Sequence, residues 1–407
     1  PFVAQRLSRC SAMEAPFRLR TSCKRKWGVL VALAALALHL QAARDVFHAF
    51  CRVRAAAELR EPTLNDSGPP RARKLREPRL SDPGPPKPAK PANDGRVLTA
   101  RISKAETATA VLSAAAWGLD RPGFNHVHVS AIFSKLAKFR RWGKLSATDL
   151  NSPTVSKVRA RLSSMLKQDM LGQREVSSVF YSVAVLSQGG NKIFIRALPG
   201  LVEVISRKAK DMQPQGLSNA LWAIAKLKDA APEVLKAVPA IAECLPSQAR
   251  GLIPQALSNS LWASAVLADD APEVLKAVPA IAARLPDQVA AMKPQELSNS
   301  LYAAASLKDL APDVLKAVPS LAGAIPGQVV SMMPQHLSNS LWATAMLKTS
   351  VPEVMTTAKD LVVALSNRAS TMKPHELKTA IGAAAEAEER ELQGWLAAEL
   401  EGRRAGR

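Results

Sequence analysis

Pro254-Gln-Ala-Leu-Ser-Asn-Ser-Leu-Trp-Ala-Ser-Ala-Val-Leu267 returns, little changed, from Pro214, Pro294 and Pro334, and a worn copy starts at Pro374. The interval is 40 residues each time, with no insertion or deletion. A constant period of that size marks a solenoid, in which each unit buries its apolar face only against its neighbours. The pattern predicts an all-α fold: a right-handed superhelical α-solenoid of helical hairpins, preceded by a disordered N-terminal extension.

Within the unit starting at Pro214, the proline suits a first helical turn, where its missing N–H costs nothing. The run to Leu227 then contains no breaker and reads as helix A. Leu217, Leu221, Ile224 and Ala225 fall on one stripe at spacings of three and four, which is the core stripe. Gln215, Ser218, Asn219, Trp222 and Lys226 fall on another arc, away from the leucines. A second helix B starts at Pro232-Glu233, with an acidic residue at the positive end of the helix dipole. Pro239 and Pro246 are expected to bend it. In the later unit Lys359 and Ser366 replace those prolines, so Pro352 to Thr371 is expected as uninterrupted helix.

Worn units lie upstream. Val176 to Leu186 follows the pattern of Leu217 to Leu227, Ala197-Leu198-Pro199 that of Ala237-Val238-Pro239, and Val129 to Ala137 is a fainter copy. The solenoid is thus expected over residues 101–407, with worn repeats at 105–210, clear repeats at 211–372 and a degenerate cap at 373–407, about seven units in all.

Net charge is +21, unevenly placed. Residues 1–100 carry 19 Lys and Arg against 8 Asp and Glu, residues 101–170 carry 12 against 4, and residues 171–407 carry 24 against 22. A basic chain points to nucleic acid or an anionic membrane as partner. Here that argument rests on the N-terminal part, because the clear repeats are near neutral. Cys10, Cys23, Cys51 and Cys244 are too scattered for a disulfide framework or a zinc site.

The first 44 residues read as a targeting segment: Arg18, Arg20, Lys24, Arg25 and Lys26 precede an apolar run over 27–40, and small residues follow. That run is short for a membrane span, which needs about 20 residues. Residues 45–100 are rich in Arg, Lys and Pro and read as a disordered linker. The order resembles the bipartite leaders of proteins sent to complex plastids; a secreted or membrane-anchored protein with a flexible stalk is the alternative. Contact with a membrane is expected only through the apolar run, if it is retained.

No Gly-rich phosphate loop, nucleophile motif or HExxH is present. His126-x-His128 is the only close histidine pair and lacks further ligands. No catalytic residue, metal, cofactor or small-molecule substrate is expected, and the chain is not read as an enzyme. The sharp feature is the recurring amide and aromatic: Asn219, Asn259, Asn299 and Asn339 sit where asparagine has poor helix propensity, and Trp222, Trp262, Tyr302 and Trp342 follow one turn later. Two readings stay open. Asn bonds the backbone of the adjacent unit while the ring wedges between helices, or amides and rings form a ladder for an extended ligand, as a repeat-per-nucleotide RNA reader needs. Positions that vary on the constant scaffold, Gly216, Ala256, Glu296 and His336 in one column and Lys226, Val266, Ser306 and Met346 in another, would then encode bases. Free drift at solvated positions looks the same. Lys138, Arg140 and Arg141, with Lys135 and Lys144 nearby, form the basic cluster that would hold phosphates.

Through Gln-x-Leu-Ser-Asn-x-Leu-Trp-Ala-x-Ala-x-Leu, as at Gln255 to Leu267, the unit resembles the octotricopeptide and heptatricopeptide families of algae and apicomplexans, over roughly residues 171–385. The resemblance implies an α-solenoid binding single-stranded organellar RNA, in RNA processing, stability or translation, in plastids or mitochondria. Many such proteins end in a RAP domain, which does not follow the repeats here. An armadillo-like scaffold for protein partners is the alternative, since Asn and Trp ladders also grip extended peptides.

Overall fold

The computed structural model describes residues 94–404. The targeting segment, its apolar run and the linker before Asp94 lie outside the described residues. Within them every regular element is helical. The first hairpin is α1 (Asp94–Lys104) with α2 (Ala108–Gly118). In the second, α3 (His126–Arg141) pairs with α5 (Pro153–Lys167) across the short α4 (Ala147–Leu150), and in the third α6 (Gln173–Leu186) pairs with α7 (Leu198–Lys208). Four near-identical units follow: α8 (Pro214–Leu227) with α9 (Val238–Gln248), α10 (Pro254–Leu267) with α11 (Val278–Gln288), α12 (Pro294–Leu307) with α13 (Val318–Gln328), and α14 (Pro334–Leu347) with α15 (Ala358–Arg368). The last hairpin is α16 (Pro374–Glu386) with α17 (Arg390–Arg404), making eight.

The first helices of the hairpins from α3 to α16 pack side by side as one row, and the second helices form a second row. The leucine stripe explains the joint between rows: Leu217, Leu221 and Ile224 are wholly buried, as are their counterparts Leu257, Leu261, Leu297 and Leu301. The other arc is not a solvent face. Each inner helix of the first row has a neighbour on both sides as well as its own second helix, so Ser218, Trp222, Ser258 and Trp262 are buried too.

Helix B is neither one bent α-helix nor two separate pieces. Pro232–Ala237 is a 3₁₀ turn that runs without a gap into α9, and a second 3₁₀ turn, Ala249–Gly251, closes it. The unit lacking both prolines divides at the same places, into Pro352–Thr357, Ala358–Arg368 and Ala369–Thr371, so the expected uninterrupted α-helix is not found there. Those two prolines therefore do not cause the division. The leading 3₁₀ turn of each clear unit begins at a proline and packs on the second helix of the unit before it. Pro239 then falls in the first turn of the α segment, where it is tolerated.

The ends extend the array. α1 begins inside the stretch read as linker, because Leu98 and Ile102, four residues apart, bury one of its faces. At the other end Leu392, Leu396 and Leu400 repeat that spacing, so α17 packs as a true second helix.

Candidate nucleic-acid interface

The bond to the neighbouring unit comes from the serine of Ser-Asn rather than from the asparagine. Ser218 Oγ donates to the Ala256 carbonyl at 2.9 Å, Ser258 Oγ to Glu296 at 3.0 Å and Ser298 Oγ to His336 at 2.9 Å. These acceptors are the variable third residues of the following units. Two of these residues also commit their side chains: Glu296 caps the Lys293 N–H at 2.9 Å and His336 Nδ1 accepts from the Met333 N–H at 3.3 Å; in the last clear unit Ser338 turns to its own Pro334 carbonyl, and Glu376 caps the Lys373 N–H at 2.6 Å. Two of the four residues in the column expected to encode bases, Glu296 and His336, thus cap their own helices, while Gly216 and Ala256 have no side chain that could.

Further ties run across the units. At the end of the first helices, Lys228 Nζ reaches Asp270 at 2.8 Å, Lys308 Nζ the Met346 carbonyl at 3.0 Å and Lys348 Nζ Glu388 at 2.6 Å. At the end of the second helices, Lys208 donates back to the Leu171 carbonyl at 2.6 Å and Gln328 to that of Met292 at 2.8 Å, while Arg368 reaches Met332. Burial alone would lower the Lys228 pKa, but the hydrogen bond to Asp270 and the charges of Asp229 and Asp270 outweigh it and raise it.

The aromatic residues do form a ladder, but against one another. Tyr181 and Trp222 lie 4.8 Å apart between ring centroids, and Tyr302 and Trp342 4.9 Å, each pair tilted by 35°. Lys226 Nζ stands 5.5 Å from the Trp222 centroid and 4.4 Å from that of Trp262, a cation between two rings. Trp222, Trp262 and Tyr302 are 8%, 7% and 3% exposed, which leaves no open ring face for a base. Trp342 is half-buried, as are Asn219, Asn259 and Asn299; Asn339 is buried. The burial of Trp222, Trp262 and Tyr302 fits the wedge reading of those rings.

The basic cluster lies at the end of α3. Lys138 Nζ is 4.6 Å and Lys144 Nζ 5.8 Å from the ring centroid of Trp142, which is 40% exposed and braced edge-on by Phe139 at 5.8 Å. Gly143, with φ +67°, turns the chain sharply after Trp142 and brings Lys144 back. No acidic residue lies between Asp120 and Asp149. Burial first, then repulsion from Lys138, lowers the Lys135 pKa. The other two expected phosphate contacts are engaged elsewhere: Arg140 donates to the Gln188 carbonyl at 2.8 Å, and Arg141 to the Tyr181 hydroxyl at 3.5 Å, next to the start of the aromatic row. Trp142 was not among the expected site residues; its signal is a lone tryptophan within Lys138, Arg140, Arg141 and Lys144.

Among the described residues no three or more His, Cys, Asp or Glu gather where they could hold a metal ion, and no helix is long and apolar enough to cross a membrane. His128 is buried and tied to the Gly95 carbonyl at 2.9 Å and Thr99 Oγ1 at 3.1 Å, joining α3 to α1. The described residues form an all-helical array of stacked hairpins with an exposed basic and aromatic corner at Trp142. No protein-family model matches the chain, and no curated protein matches it.

Proposed function

We propose that this chain is a non-catalytic, right-handed α-solenoid of the octotricopeptide/heptatricopeptide type that binds single-stranded RNA in an organelle, foremost a plastid, in RNA processing, stability or translation. The observation that carries this reading is the Trp142 corner. An exposed indole flanked by Lys138 and Lys144 offers a stacking face and two phosphate contacts at once. The buried rings of the clear repeats hold the scaffold, and the half-buried Asn219, Asn259 and Asn299 are the amides left for contact along the row. Affinity resides first in the N-terminal units, where the positive charge is, and falls with salt as counterions are released.

The test is fluorescence anisotropy of the full chain with labelled single-stranded RNA across a salt series. Trp142→Ala is expected to weaken binding by about 1–3 kcal/mol, as for one stacked base, and Lys138→Glu with Lys144→Glu to flatten the salt dependence. Unchanged affinity in both variants overturns the assignment. The armadillo-like scaffold is favoured by the near-neutral clear repeats, with 24 basic against 22 acidic residues over 171–407. Partners recovered unchanged after nuclease treatment, together with no RNA binding, would establish that alternative.

A further inference from the structure

The inner hairpins are covered on both sides by neighbours, but the first and last each have a side that no described residue covers. At the N-terminal end, α1 and α2 frame an open groove of about 760 Å³ lined by Val97, Ala100, Arg101, Lys104, Ala110 and Ala114. Gly95 and Thr99 reach back to His128, so the helical turn points Val97, Ala100, Arg101 and Lys104 away from the array. A terminal unit of a soluble solenoid needs a polar outer face. This one has an alanine floor, an exposed valine and two cations at its lip.

The C-terminal end is its complement. α17 buries Leu392, Leu396 and Leu400 and turns Glu391, Gly394, Trp395 and Ala398 outward. Trp395 is 45% exposed, and a Cβ placed on Gly394 would meet nothing within 4 Å, so the indole stands on open surface. Glu391 is exposed one turn before it and forms no ion pair among the described residues, with exposed Arg390 next to it; Lys104 likewise forms none, while Arg101 lies over the Trp117 ring at 4.3 Å. One end thus offers a largely apolar groove with Lys104 at its rim, the other an exposed ring with Glu391 one turn away.

We propose that the chain associates head to tail with a second copy of itself, Trp395 of one molecule entering the α1/α2 groove of the next, with Glu391 facing Lys104. The contact is heterologous, so each addition leaves a free groove and a free tail, and growth is open-ended. Nothing in it depends on RNA.

Sedimentation of the nuclease-treated full chain over a range of concentration tests it. The weight-average mass is expected to rise above 43.5 kDa with concentration, and to fall back when salt is raised and the rim charges are screened. Trp395→Ala removes the tail and Lys104→Glu the groove, each weakening association by about tenfold or more. Both positions are exposed, and circular dichroism checks that helicity is kept. Mixing the two variants pairs the intact groove of one with the intact tail of the other, and is expected to give dimers and nothing larger. A wild-type chain that is monomeric throughout overturns the proposal, and that is also the result if another part of the chain fills the groove. Undiminished association of either variant, or a mixture that stays monomeric, overturns it equally.

Discussion

Ser258 and Trp262 stand one turn apart on α10, and they join its unit to opposite neighbours, Ser258 to the next through Glu296 and Trp262 to the preceding one through Lys226. Ser258 spends its hydroxyl on the Glu296 carbonyl. Ser258→Ala is expected to cost about 0.5–1.5 kcal/mol, the net worth of one such bond, read as a lower urea midpoint. Trp262 is nearly buried among its neighbours, and Trp262→Ala should cost about 3–5 kcal/mol through lost packing and a cavity. Little loss of stability would show that its ring is not core. Trp142 is the contrasting case. Its exposed ring predicts a stability change within about 0.5 kcal/mol for Trp142→Ala, with the effect appearing in RNA affinity instead. In the sequence Trp142 stands between Lys138 and Lys144, whereas Trp262 has no lysine near it and meets Lys226 only in the folded array. Which one is open depends on whether another helix lies alongside: α10 has one on each flank, whereas Trp142 follows the last turn of α3.

At the scale of the element, the first helices were legible and the second only partly so. The Pro-Gln start, the leucine spacing and the last leucine fixed the bounds of helix A, because those features act within one helix. The segments of helix B pack against the neighbouring unit, and the recurrence of its division in Pro352–Thr371 shows that Pro239 and Pro246 do not mark it. The ties between elements have a pH signature. The raised pKa of Lys228 means the folded state holds that proton more tightly than the unfolded one. Its contribution is therefore complete below the unfolded pKa of about 10.4 and is lost as pH rises through the higher folded value. Thermal melts are expected to drop on that alkaline limb, and Lys228→Met to make the limb shallower. An identical limb in the variant would show that the tie to Asp270 adds no stability.

For the molecule as a whole, stability is a sum of unit and interface terms between nearest neighbours. Removing residues 254–293 deletes one period and joins matching faces, so the shortened chain is expected to stay folded. Its denaturant slope should fall with the lost buried surface, and a molten chain by circular dichroism would contradict the nearest-neighbour picture. The sequence by itself determined the all-helical repeat, its 40-residue period and its leucine core, because periodic burial is written in periodic residues. It also showed that positive charge gathers before the clear repeats. Only the tertiary structure decided which arc of the first helices is closed, that serine rather than asparagine joins the units, and that the rings of the clear repeats face one another. Those outcomes depend on a second and third helix arriving beside the first, and the pattern within a single helix carries no record of them.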